Sequence, residues 1–175
     1  MKSVRFIVLF AAILLLTQSC DKSFTVFSGR DPVYYRCDLG LPPFNVVSSM
    51  GVFLSVRQSG GNVMVTDANE ELSRIPMTER EAKSFLFGLG GLIIGTPALD
   101  NEKCEVFAYD LACPICDRRS IRLKFDANGV AACPNCSTTF DLNNNGFVID
   151  SDRKDARPLY RYPVSRSGSQ VIVAN

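Results

Sequence analysis

The sequence predicts an all-β protein with one short helix. Short runs rich in valine, isoleucine, phenylalanine and tyrosine recur along the chain, separated by turns rich in glycine, asparagine and proline. The strand-like runs do not alternate with long amphipathic helices, as they would in a parallel α/β sheet. We therefore expect an antiparallel β-sandwich or open barrel, formed by a single domain at residues 33–175.

The predicted strands come mainly in hairpins. Residues 52–57 and 63–66 flank a turn with two glycines, and residues 140–142 and 147–149 flank a turn of three asparagines and a glycine. Residues 121–125 alternate apolar and basic side chains, as a half-buried strand does. The other predicted strands lie at 33–37, 92–94, 105–109, 130–132, 159–165 and 171–173.

A single helix start is visible in the sequence. Thr78 is followed three residues later by Glu81, which is the pattern of a capping box. We expect a helix from this point to about Phe87, ending at Gly88. A helix this short depends on tertiary contacts for its stability.

The N-terminus has the pattern of a secretory signal peptide, at residues 1–19. Lys2 and Arg5 form a short basic n-region. They are followed by an apolar run at 6–16, which is too short to span a bilayer as a helix. The motif Leu16-Thr17-Gln18-Ser19-Cys20 resembles a bacterial lipobox. This resemblance implies cleavage before Cys20 and attachment of lipid to its sulfur.

Lipidation of Cys20 would make the chain a lipoprotein of the bacterial cell envelope, anchored to a membrane and facing the periplasm or the cell surface. Residues 20–32 are mainly polar and would form a tether between the lipid and the domain. The alternative is an ordinary signal peptide followed by a cysteine without lipid. A protein partner is not indicated by the sequence.

The charge balance argues against nucleic-acid binding. The chain has 19 basic and 18 acidic residues, and removal of Lys2 and Arg5 leaves 17 and 18, a net charge of −1. Binding to nucleic acid requires a concentration of basic side chains on one surface. We therefore expect no nucleic-acid partner.

Four cysteines form the strongest motif in the sequence. Cys113 and Cys116 form one Cys-x-x-Cys pair, Cys133 and Cys136 form a second, and sixteen residues separate the pairs. A hairpin between the pairs would bring both turns together, and this spacing is typical of zinc ribbons. The sequence therefore predicts that all four sulfurs share one metal site.

Cys37 and Cys104 remain outside this motif. Export to an oxidising compartment favours disulfides, so a Cys37–Cys104 bridge is one expectation. The alternative is two separate buried thiols, which behave as small apolar side chains.

The region around the second cysteine pair resembles the Rieske iron–sulfur domain. Residues 133–141 are similar to the second cluster loop of that family, Cys-Pro-x-His-Gly-Ser-x-Phe, and match its cysteine, proline and phenylalanine. Residues 145–148 and 156–162 are similar to the closing stretch of the family, and residues 107–114 to the strand that enters its first cluster loop. The resemblance implies stacked antiparallel sheets and a small rubredoxin-like subdomain, at 105–150, that carries both metal-binding loops.

The metal ligands differ from those of the family. Ile115 occupies the position of the first histidine, Cys116 follows it, and Cys136 replaces the second histidine. Because the chain contains no histidine, a Rieske centre with two histidine ligands is excluded. Four thiolates suit zinc, a single iron or a 2Fe–2S cluster, and two disulfides without metal are a further alternative.

Two functions follow from these alternatives. A zinc ion would make the domain a structural or binding module without enzymatic activity, and zinc is the metal we expect. An iron centre at the same thiolates would make it an electron carrier or redox accessory protein. Dithiol–disulfide exchange is disfavoured, because its Cys-x-x-Cys motif normally begins a helix in a thioredoxin-like βαβ unit.

Overall fold

The computed structural model describes residues 30–99 and 101–175 as an assembly of antiparallel β-sheets, which confirms the predicted all-β class. The predicted signal peptide, Cys20 and residues 20–29 lie outside the described residues. A 3₁₀-helix covers Phe44–Ser48, and one α-helix, α1, covers Glu79–Ser84. The strands are β1 (Val33–Asp38), β2 (Val52–Ser59), β3 (Asn62–Thr66), β4 (Leu72–Pro76), β5 (Leu86–Phe87), β6 (Leu92–Thr96), β7 (Phe107–Asp110), β8 (Lys124–Phe125), β9 (Val130–Ala132), β10 (Thr139–Asp141), β11 (Phe147–Asp150), β12 (Arg161–Tyr162), β13 (Val164–Ser167) and β14 (Gln170–Ala174).

The strands form three sheets. A six-stranded sheet has the order β12-β7-β6-β2-β3-β4, and a four-stranded sheet has the order β13-β14-β1-β5. The third sheet, β11-β10-β9-β8, is built from the chain around the second cysteine pair. Strand pairing within each sheet is antiparallel, as the hairpin turns of the sequence predict.

The six-stranded sheet is buried on both faces. Leu92 and Ile94 of β6 belong to a core shared with β1 and β14, whereas Ile93 belongs to a second core shared with the small sheet. Side chains of a strand point alternately to opposite faces, so one strand supplies both cores. The small sheet and the four-stranded sheet therefore lie on opposite sides of the six-stranded sheet.

The helix prediction is correct at its start and wrong at its end. The Thr78 hydroxyl accepts a hydrogen bond from the Glu81 amide at 3.3 Å, and the Glu81 carboxylate accepts one from the Thr78 amide at 2.9 Å. However, α1 ends at Ser84, and β5 pairs with β1 instead of continuing the helix. An extended backbone lets Phe85 and Phe87 both pack on one tyrosine, Tyr35, with ring centroids 5.1 and 5.2 Å from it.

Two elements have no counterpart in the sequence prediction, and one strand is shorter than predicted. The 3₁₀-helix and the edge strand β4 were not expected; β4 alternates exposed and half-buried side chains and contains Ser73, Arg74 and Pro76, which are poor strand formers. Of the predicted strand at 121–125, only β8 is a strand, and Arg122 forms an isolated bridge with Ala112. Within the described residues, no helix is both long and apolar enough to cross a membrane.

Candidate metal centre

The structure brings the two Cys-x-x-Cys pairs together at one end of the small sheet. Cys113 and Cys116 lie in the loop between β7 and β8, and Cys133 and Cys136 lie in the loop between β9 and β10. All four Sγ atoms lie within 4.8 Å of one another. The shared site predicted from the spacing is therefore present as a cluster of four thiols.

The two cysteine turns have the same backbone geometry. The Asp117 amide donates to the Cys113 carbonyl at 2.9 Å, and the Ser137 amide donates to the Cys133 carbonyl at 3.0 Å. Asp117 and Ser137 both have positive φ, 51° and 57°, which turns the chain back after the second cysteine. The two turns therefore bring their four sulfurs together in one cluster.

Backbone amides point at the first sulfur of each turn. The amides of Ile115 and Cys116 donate to the Cys113 sulfur, and those of Asn135 and Cys136 donate to the Cys133 sulfur. Hydrogen bonds from amides stabilise a thiolate and lower its pKa. At both sulfurs these amides oppose the effect of burial, which raises the pKa of Cys113 and of Cys133 overall.

Side chains provide further hydrogen bonds at the other two sulfurs. The Asn135 amide nitrogen donates to the Cys116 Sγ at 3.3 Å. The Thr138 hydroxyl lies 3.4 Å from the Cys136 Sγ and 2.7 Å from the Ser151 hydroxyl, and Thr138 is fully buried. The second cysteine turn is thereby tied to the segment that follows β11.

The thiols of Cys113, Cys133 and Cys136 differ in acidity. Burial raises the pKa of Cys113 and of Cys133 above the ordinary value of 9.0. At Cys136 burial also opposes ionisation, but hydrogen bonds with the hydroxyl and amide of Thr138, and with neighbouring cysteines, outweigh it and lower the pKa to about 7. Cys136 therefore ionises more readily than Cys113 and Cys133, and a bound cation would displace the protons that remain.

The sulfur spacing suits a single ion. The distances between the Sγ atoms of Cys113 and Cys136, and between those of Cys116 and Cys133, are both 3.7 Å. Tetrahedral zinc with bonds of about 2.3 Å separates its sulfur ligands by roughly 3.8 Å. The four sulfurs are therefore close enough together to bind one metal ion.

An arginine from a distant segment holds the first turn in place. The Nε and Nη2 groups of Arg157 both donate to the carbonyl of Pro114, at 3.1 and 2.5 Å. The same guanidinium lies 5.5 Å from the centre of the Tyr160 ring. Arg157 is a positioning residue, because it contacts the backbone of the turn and not the sulfurs.

A buried carboxylate fixes the strand that enters the first turn. Asp110 is fully buried and accepts hydrogen bonds from the amides of Leu89, Gly90 and Ala112 at 2.7–3.0 Å and from the Tyr162 hydroxyl at 2.6 Å. Burial raises the pKa of Asp110, although each of these hydrogen bonds acts in the opposite direction. The carboxylate ties the glycine-rich loop after β5 to the chain leading to Cys113.

Cys37 and Cys104 do not form the disulfide that was one expectation from the sequence. Both are free thiols in the structure, with Cys37 buried in β1 and Cys104 exposed in the loop before β7. Burial raises the pKa of Cys37 to about 12, which matches the alternative of a thiol acting as a small apolar side chain. Cys104 is exposed and does not fit that alternative.

The residues that support the cysteine turns are not among those predicted from the sequence. Arg157 and Thr138 both lie within the segments that resemble the Rieske family, but the sequence predicts no role for either residue at the site. Asn135 lies inside the second motif, between its two cysteines. Asn135 and Thr138 could have been identified from their positions within the second cysteine motif. The contact of Arg157 depends on the fold and could not.

Comparison with known proteins gives a similarity to solved structures. No family model matches the chain, and the search of curated proteins gives no match. Among solved structures, the chain is similar to the ferredoxin of carbazole 1,9a-dioxygenase from Nocardioides aromaticivorans, with 15% identity and a TM-score of 0.39. The match covers 82% of this chain and 97% of that chain. At this TM-score the similarity by itself assigns neither a fold nor a function.

Proposed function

We propose that this chain is a lipoprotein of the bacterial cell envelope whose Rieske-like domain holds one zinc ion at Cys113, Cys116, Cys133 and Cys136. The ion would staple the two cysteine turns together and would supply no redox chemistry. The observation that carries the proposal is the spacing of the four sulfurs, all within 4.8 Å of one another. Because all four positions around the ion are taken by protein, the site has no open position for a catalytic water.

The chain provides what such an ion requires. The lowered pKa of Cys136 favours a thiolate, which is the form that binds metal, and the amide hydrogen bonds at Cys113 and Cys133 partly offset the burial that raises the pKa of those two thiols. Arg157 and Thr138 hold the two turns from outside. Zinc binding in small four-ligand sites contributes on the order of 10–16 kcal/mol to folding, so its loss would destabilise this part of the domain.

Metal analysis of the purified protein tests this proposal. We expect one zinc per chain, no absorption band in the visible range, and loss of zinc from Cys133→Ser. Cys104→Ser is the matched control, since Cys104 is an exposed thiol in the described part of the chain and lies outside the cluster. Protein purified without oxygen that contains no zinc, or that keeps full zinc after Cys133→Ser, would show that the proposal is wrong.

A single iron at the same thiolates is the second candidate. Cys116 and Cys136 are half-exposed, which would give electrons a short path to the surface, and amide hydrogen bonds to sulfur help to set the potential of iron–sulfur sites. An iron protein absorbs visible light and a zinc protein does not. Stoichiometric iron with a visible absorption band that bleaches reversibly on reduction would therefore favour electron transfer over the structural role.

The membrane anchor is a separate part of the proposal. It rests on the apolar run at 6–16 and on the motif that ends at Cys20. Metabolic labelling with a fatty acid should mark the wild-type protein and not Cys20→Ser. Labelling that persists in Cys20→Ser would place the lipid elsewhere, and an unlabelled wild-type protein would favour an ordinary signal peptide.

A further inference from the structure

An arginine-lined cleft lies between the six-stranded sheet and the first cysteine loop. Its volume is about 410 Å³, within the range of roughly 300–1,000 Å³ that is typical of ligand sites. Its wall includes the glycine-rich loop 88–91, the end of β2, and the segment that follows Cys116. Three arginines from these elements line it: Arg57, Arg119 and Arg122.

The three guanidinium groups are available to a ligand. Within residues 30–99 and 101–175 none of them forms an ion pair. The Nε of Arg122 donates to the Gly90 carbonyl at 2.8 Å, which fixes the side chain and leaves both of its Nη groups for another acceptor. Arg57 is half-buried, so its side chain is confined at the wall of the cleft, whereas Arg119 is exposed.

The charge of the cleft matches a phosphate group. Asp31 is the one acidic side chain among its lining residues, so the lining carries a net charge of +2. A phosphate monoester carries −1.5 to −2 at neutral pH and offers three strong acceptor oxygens. Asp110 lies behind the glycine-rich loop, and hydrogen bonds from four donors already satisfy its carboxylate. A carboxylate ligand would carry only a single charge, so phosphate is the better match.

We propose that this cleft is a binding site for a phosphate group, independent of the metal held by the cysteines. Arg57 and Arg119 bind its oxygens together with the free Nη groups of Arg122. The cleft borders Asp31 and Pro32, where the proposed tether meets the domain. The proposed tether of thirteen residues, 20–32, reaches at most about 45 Å, so the phosphate can belong to a lipid headgroup or to a soluble compound.

Calorimetric titration of the purified, metal-containing protein at low ionic strength tests the site. The two probes are inorganic phosphate and dihexanoyl phosphatidic acid below its micelle concentration, with dihexanoyl phosphatidylcholine as the correction for partitioning of the lipid. We expect Arg57→Gln/Arg119→Gln to weaken binding by at least about tenfold, because it removes two charge-assisted contacts. Arg74→Gln/Arg80→Gln is the matched control: it removes the same charge from exposed positions outside the cleft, and it should leave binding unchanged.

Each outcome has a definite meaning. Saturable binding of either probe that is lost in the cleft variant and kept in the control supports the site. Tighter binding of phosphatidic acid than of inorganic phosphate points to a lipid headgroup, whereas equal or weaker binding of phosphatidic acid points to a soluble phosphate compound. Absence of binding by both probes, or equal weakening in the two variants, would overturn the proposal. Metal content measured on the same samples shows whether the substitutions disturbed the cysteine loop.

Discussion

The contact between Arg157 and the first cysteine turn should make a measurable contribution to the free energy of unfolding. Pro114 is buried, and its carbonyl receives both hydrogen bonds from Arg157. Substitution Arg157→Gln shortens the side chain and removes its charge, so the carbonyl loses these donors. A buried acceptor left without a partner costs about 1–3 kcal/mol, and the exposed position of Arg157 places the value in the lower half of that range.

We therefore expect Arg157→Gln to lower the free energy of unfolding by about 1–2 kcal/mol, a factor of roughly 5–30 in the folded population. The first turn should also open more often, so the rate at which a chelator removes the metal should rise by up to a similar factor. Chemical denaturation measures the first effect and a colorimetric chelator measures the second. Arg157→Lys keeps the charge but lacks the planar fork, so its effect should be intermediate.

The control for this prediction is Arg153→Gln. Arg153 is exposed, and its side chain pairs with Asp155, which is exposed as well. Ion pairs at such positions contribute little to stability, so this variant should resemble the wild type. If Arg157→Gln has wild-type stability and loses metal no faster, the contact with Pro114 does not hold the turn. The same conclusion follows if Arg153→Gln is affected to the same extent.

Three further predictions concern backbone strain, acidity and helix capping. Gly146→Ala should cost about 2–4 kcal/mol of unfolding free energy, because Gly146 has φ of 70° and an added Cβ would lie 2.8 Å from the Leu159 side chain. Metal affinity measured by chelator competition should rise with pH, and more steeply below about pH 7, because metal binding must then also displace the proton of Cys136. Thr78→Ala should lower stability by about 1 kcal/mol, measured by thermal denaturation, because it removes the hydroxyl that caps α1.

Each of these predictions has a result that contradicts it. Gly168→Ala is the control for Gly146→Ala, since Gly168 has φ of 61° but no atom within 4 Å of an added Cβ. Equal losses at the two glycines would mean that the contact with Leu159 is unimportant. Metal affinity that is flat between pH 6 and about 8 would mean that no protons leave on binding. A Thr78→Ser variant that fails to restore stability would show that the hydroxyl is not the cause.

The cysteine cluster is the part of the site that local sequence predicts best. A two-residue gap confines both sulfurs of a pair to one turn, and the hairpin between the pairs follows from the turn residues at 126–129. Both are short-range properties, so the structure agrees with them. The supporting residue Arg157 lies 43 positions from the carbonyl that it contacts, and nothing in its local sequence specifies that contact.

The end of α1 shows why local signals fail elsewhere. The capping box at Thr78 correctly predicts where the helix starts, because both of its hydrogen bonds join residues three positions apart. Its end depends on Phe85 and Phe87, which pack against Tyr35 about fifty positions earlier. The free energy of burying two aromatic rings exceeds the small preference for another turn of helix.

The sequence by itself determined the strand-rich class, the main hairpins, the helix start and the pairing of four cysteines at one site. These follow from residue spacing over fewer than about thirty positions. Only the tertiary structure decided that β6 supplies two cores, that Arg157 and Thr138 support the cysteine turns, and that Arg57 meets Arg119 and Arg122 in one cleft. These arrangements join distant segments, and they depend on which faces of the sheets are buried against each other.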